Sequence, residues 1–80
     1  MLVVDHLQHN DCRITLFEWN GKYLIKFERG LVELTYKVSQ MEIPNNEELK
    51  SFIDDSFIKE ALQQLTQMEV TLGHALERHQ

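Results

Sequence analysis

CRITLFEWNGKYLIKFERGLVELTYKV, residues 12–38, is the stretch whose reading decides the fold. At its centre stands Asn20-Gly21 between two alternating apolar runs. That dipeptide marks a two-residue hairpin, because a type I′ turn needs positive φ at both central positions. With Trp19 opposite Lys22, the pairs running back from the turn are Glu18–Tyr23, Phe17–Leu24, Leu16–Ile25, Thr15–Lys26, Ile14–Phe27 and Arg13–Glu28. Arg29-Gly30, folded the same way, predicts Glu28–Leu31, Phe27–Val32, Lys26–Glu33, Ile25–Leu34, Leu24–Thr35 and Tyr23–Tyr36. One face then gathers Ile14, Leu16, Tyr23, Ile25, Phe27, Val32, Leu34 and Tyr36. The other gathers the opposite-charge pairs Arg13–Glu28 and Lys26–Glu33, which support a cross-strand ladder. A one-residue slip would exchange the faces of a strand, so the alternation excludes it.

Outward from this meander, residues 2–8 read as a possible fourth strand, turned back onto strand 12–19 by Asn10-Asp11. That pairing sets Leu7 opposite Ile14 and brings Asp5 opposite Leu16 on the core face, a costly place for an ion. On the other side, residues 39–44 form a connector ending at Pro44. Asn45 is an N-cap with Glu48 at the third helical position, and Glu47 and Glu48 suit the positive end of the helix dipole. Leu49, Phe52 and Ile53 make the apolar face of a helix over 46–53.

At 100° per residue the later apolar positions, Phe57, Ile58, Ala61, Leu62, Leu65, Met68, Leu72, Ala75 and Leu76, centre about 140° away from that face. One straight helix cannot bury both stripes against one sheet. The break falls at Asp54-Asp55-Ser56, where Asp54 caps a second helix over 55–78, with Ile53 and Ile58 placed as a hydrophobic staple. Such a helix spans ~36 Å against ~27 Å for an eight-residue strand, so its last turns, around Leu72 and Leu76, overhang the sheet. Gly73 inside it points to a close helix contact.

The expected architecture is therefore α+β. An antiparallel three- or four-stranded β-meander (2–38) leads to a short helix and a long amphipathic C-terminal helix packed on one sheet face. All 80 residues make one small domain near the lower size limit for independent folding.

Composition narrows function mainly by exclusion. The net charge is −5. Residues 1–43 hold six acids against five bases, and residues 44–80 hold seven against three. An acidic chain is a poor ligand for duplex DNA, whose affinity comes from phosphate neutralisation. Cys12 is the only cysteine, which excludes an internal disulfide and favours a reducing compartment. The amino terminus lacks the basic and apolar regions of a signal peptide, and no segment reads as a membrane span. Cytoplasmic location and no membrane association are the expectations.

No Gly-rich phosphate loop, Gly-x-Ser-x-Gly or His-Glu-x-x-His arrangement occurs. His6, His9 and Cys12 have zinc-type donors at three-residue spacing but lack a converging fourth ligand. His74 and His79 lie 140° apart around a helix, and capping accounts for Asp54 and Asp55. The reading is of no catalytic residue, no metal site and no cofactor.

What remains is surface. Phe17, Trp19 and Leu24 share the outer sheet face with Arg13, Lys22 and Lys26. This patch is either covered by helix 46–53 or strand 2–8, or open to a partner. The leading expectation is a non-catalytic protein-interaction module acting as a homodimer, with Phe17, Trp19, Lys22, Leu24, Leu72 and Leu76 as its interaction surface. An unidentified protein partner is a further possibility. The alternative is single-stranded nucleic-acid binding, with bases stacked on Phe17 and Trp19 and phosphates met by Lys22 and Lys26. The acidic charge makes nucleic acid the less favoured partner.

Overall fold

Three two-residue turns shape the sheet of the computed structural model, which describes all 80 residues. Strands β1 (Leu2–His9), β2 (Cys12–Trp19), β3 (Lys22–Arg29) and β4 (Val32–Ser39) form one antiparallel sheet in the order β1-β2-β3-β4. Helices α1 (Asn46–Phe52) and α2 (Asp55–His79) follow. The chain is thus α+β, with residues 2–9 making the fourth strand.

At the β2–β3 turn both Asn20 and Gly21 have positive φ, +56° and +73°, as a type I′ hairpin requires. The β2–β3 register matches the expected one throughout, from Trp19–Lys22 to Arg13–Glu28. The next turn differs from expectation. Its central residues are Gly30-Leu31 rather than Arg29-Gly30, so β4 begins one residue later and its register moves by two. Arg29 now faces Val32, Phe27 faces Leu34 and Ile25 faces Tyr36. Gly30 alone supplies positive φ, +58°, at the first central position, as in a type II′ turn. Because the slip is even, every residue keeps its face.

The charge pairing does change. Lys26 sits opposite Thr35, while Glu33 sits opposite Glu28, and the predicted Lys26–Glu33 pair is absent. Lys26 instead reaches Glu28 on its own strand, at 3.7 Å.

Leu7 pairs with Ile14 and Asp5 with Leu16 as expected, after a bulge between Val3 and Asp5. The cost of Asp5 at the core margin is met from α1. Lys50 Nζ lies 3.1 Å from Asp5 Oδ2, and the backbone N–H of His6 donates to Asp5 Oδ1 at 2.8 Å. The Lys50 contact, with help from that N–H, holds the carboxyl below its ordinary value. A carboxylate depressed in this way stabilises the fold above the ordinary carboxylate range and loses that contribution as pH falls through its lowered value.

Both helices pack on the same side of the sheet. Asn45 accepts from the Glu48 N–H and Asp54 from the Phe57 N–H, each at 2.9 Å, so the two caps are those the sequence marks. The core joins Cys12, Ile14 and Leu16 of β2, Tyr23, Ile25 and Phe27 of β3, and Val32 of β4 to Leu49, Ile53, Ala61 and Leu65. The Tyr23 hydroxyl reaches Asn46 Oδ1 at 3.0 Å, which pins the start of α1 to β3. Phe52 is left 41% exposed, its ring 5.5 Å from that of Phe57.

α2 lies over β3 and β4. Arg29 locks it there: Nη2 donates to Glu69 Oε1 at 2.7 Å and to Thr66 Oγ1 at 3.1 Å, and Nε donates to Glu69 Oε2 at 3.2 Å. With 25 residues, α2 is about 37 Å long and outruns the strands. The helix continues through Gly73 with no close packing there, since a Cβ added at that position would meet nothing within 4 Å.

Candidate interaction surfaces

Alternation along the strands sends one set of side chains away from both helices. Trp19 stands opposite Lys22 at one end of this outer face; Phe17 stands opposite Leu24, and Leu24 opposite Lys37, in the next row. Val3 adds to that row from β1 across the bulge. Neither helix covers the patch, so of the two alternatives the face is open. Trp19 is 48% exposed, while Leu24, flanked on the central strand, retains only 8%. Lys26 Nζ sits 5.5 Å from the centroid of the Phe17 ring, a cation–π distance.

The two-residue register moves charge along this face. Glu28 and Glu33 oppose each other at the far end, and Lys22, Lys26 and Lys37 are left around Phe17, Trp19 and Leu24. The outer face carries four basic residues, Arg13, Lys22, Lys26 and Lys37, against those two acids, although the chain as a whole is acidic. The negative excess therefore lies outside this face, on the helical side and in the turns.

A second apolar surface lies where α2 passes the turn between β3 and β4. A shallow cleft of about 590 Å³ runs between Leu31, Val32 and Glu33 on one wall and Gln64, Met68, Thr71, Leu72 and Ala75 on the other. A smaller one of about 240 Å³ continues it to Gly73 and Leu76. Leu72 is half-buried against the core, whereas Leu76 is 50% exposed on the overhang. Leu31, expected in a strand opposite Glu28, stands instead at the turn tip and is 85% exposed. Sequence reasoning missed it by placing the turn one residue early. Glu33 is the sole titratable group along the larger cleft, which gives no acid–base pair.

The six residues singled out from sequence thus divide between two places. Phe17, Trp19, Lys22 and Leu24 come together on the outer face, and Leu72 and Leu76 belong to the α2 cleft. His6 faces outward, its Nδ1 3.5 Å from Thr15 Oγ1, while His9 pairs with Cys12 across the β1–β2 turn. Cys12 is buried, and that desolvation raises its thiol pKa, the reverse of an activated thiolate. No three His, Cys, Asp or Glu side chains converge on a metal-sized site. No helix is long and apolar enough to cross a membrane. Comparison with family models, curated proteins and solved structures finds no match.

Proposed function

We propose that this chain is a non-catalytic protein-interaction module that works as a homodimer. The observation that carries the reading is the apolar stripe of α2, which runs past the sheet through Leu72 and Leu76 beside a bare Leu31. A small domain has little core to spare, and apolar side chains left outside it favour association. A twofold pair, the commonest oligomer, covers such a patch on both copies at once.

Replacing Leu31 and Leu76 together by Gln tests this. Both are exposed, so far-ultraviolet circular dichroism should be unchanged while sedimentation shows association weakened by ~2 kcal/mol or more, over tenfold in Kd. An unchanged dimer, or an unfolded variant, counts against the overhang as an interface.

A second reading is favoured by one observation, the gathering of lysines around Phe17 and Trp19 on a sheet face without helices. Single-stranded nucleic acid fits such a face, with bases stacked on the rings and phosphates near Lys22, Lys26 and Lys37. Titration with labelled oligothymidine at low salt should then show binding that falls with added salt and is lost in Trp19→Ala, with the fold intact. No retention of the oligonucleotide at low salt ends this reading.

A further inference from the structure

We infer that β4 is the seam at which two copies join, its open edge pairing antiparallel with the β4 edge of a second copy about a twofold axis at Thr35. This rests on the homodimer reading and adds the surface and register to it.

The sheet has two open edges, and they differ. β1 is broken by the bulge between Val3 and Asp5, the kind of irregularity that blunts an edge. β4 runs eight residues without a register shift, and the chain's single proline, Pro44, lies outside it. Hydrogen-bonded and non-hydrogen-bonded pairs alternate along an antiparallel ladder. The pair closing the two-residue turn, Arg29–Val32, is bonded to β3, and so are Leu34, Tyr36 and Val38 in step with it. Glu33, Thr35 and Lys37 therefore direct their backbone N–H and C=O groups to the open side.

Read outward from Thr35, this strand is self-complementary. Antiparallel pairing with Thr35 opposite Thr35 sets Glu33 of each copy against Lys37 of the other. It also sets Leu34 against Tyr36 and Val32 against Val38. Opposite charges, paired threonines and aliphatic–aromatic neighbours are the cross-strand combinations that stabilise a sheet. Three bonded pairs, each exchanging two hydrogen bonds, give about six interchain bonds.

Within one chain the same residues have no such explanation. Glu33 faces another acid, Glu28, and Lys37 faces Leu24. Neither Glu33 nor Lys37 enters an ion pair of its own chain. Two charges unmatched inside the subunit are thus matched across the twofold. The pairing also brings the Val32 end of one β4 to the Val38 end of the other, on the margin where Leu31 is bare, so the seam is continuous with the α2 cleft. The outer faces of the two sheets would form one eight-stranded surface.

Sedimentation equilibrium of the full chain and four variants tests the seam. Glu33→Lys and Lys37→Glu each place like charges opposite one another twice in the dimer and should raise Kd about tenfold. The combined Glu33→Lys, Lys37→Glu variant restores both pairs and should return Kd to within about threefold of the original, a recovery that only mutually opposed residues give. Glu33→Lys also relieves the contact with Glu28, so loss of the dimer there is not loss of the fold. Thr35→Pro removes an N–H that faces the open edge, a position where a strand tolerates proline, and should give a folded monomer. A combined variant no better than the worse single one overturns the register. If Thr35→Pro and both single variants dimerise like the unaltered chain, the seam is wrong and the homodimer stands. If the unaltered chain is a monomer, both fall.

Discussion

Phe27→Ala should leave the chain largely unfolded at room temperature. Phe27 is fully buried, and its ring stands edge-on to Tyr36 at 6.2 Å and to Phe57 at 5.7 Å between centroids. It therefore joins β3, β4 and α2 at one point. Truncation removes the transfer free energy of the ring and leaves a cavity that three different elements would have to collapse to fill, at a cost of ~3–5 kcal/mol. A domain at the lower end of the usual range holds only about 5 kcal/mol in total. Urea titration followed by circular dichroism should show the folded baseline shortened or lost. A cost below about 1 kcal/mol would mean that α2 does not sit on β3 as described.

The next largest effect separates the two faces of one strand. Ile25 is fully buried between Leu16 and Tyr36 on its neighbours, under the helices. Ile25→Ala should cost ~2–5 kcal/mol, enough to lower the melting temperature by tens of degrees. Leu24 is nearly as inaccessible, at 8%, yet it faces the side that no helix covers. Water can close over the gap there, so Leu24→Ala should cost only about 1–2 kcal/mol, close to the transfer term alone. Thermal melts at low protein concentration make the comparison. If Leu24→Ala were the more damaging, a layer would have to cover the outer face.

The β2–β3 hairpin was legible in the sequence because Asn20-Gly21 leaves one turn geometry, and the face of every strand residue follows from it. The β3–β4 register was not, for a physical reason. A slip of two residues leaves all faces unchanged, so the pattern of apolar residues is blind to it. Two features select the observed register. Gly30 carries positive φ at the first turn position, and Arg29, kept in the strand, reaches Glu69 and Thr66 of α2. The second is a contact across forty residues that no local pattern announces.

The break between α1 and α2 was legible from the angular offset of their stripes and from Asp54. Which sheet face α1 would take was not. Leu49 and Ile53 would suit either side, and the choice is made by Tyr23 reaching Asn46 and by Lys50 answering Asp5. For the surface, the grouping of Phe17, Trp19, Lys22 and Leu24 followed from the alternation, whereas the bare Leu31 and the placement of Glu28 opposite Glu33 depended on the missed register.

The mass of the unaltered chain in solution tests the homodimer most directly. Sedimentation equilibrium from about 1 to 100 μM reads it without any substitution, and a dimer's apparent stability should rise with concentration over the same range. The expected mass is twice the chain's 9.5 kDa at the upper end, with reversible dissociation on dilution. A mass that stays at 9.5 kDa throughout contradicts it.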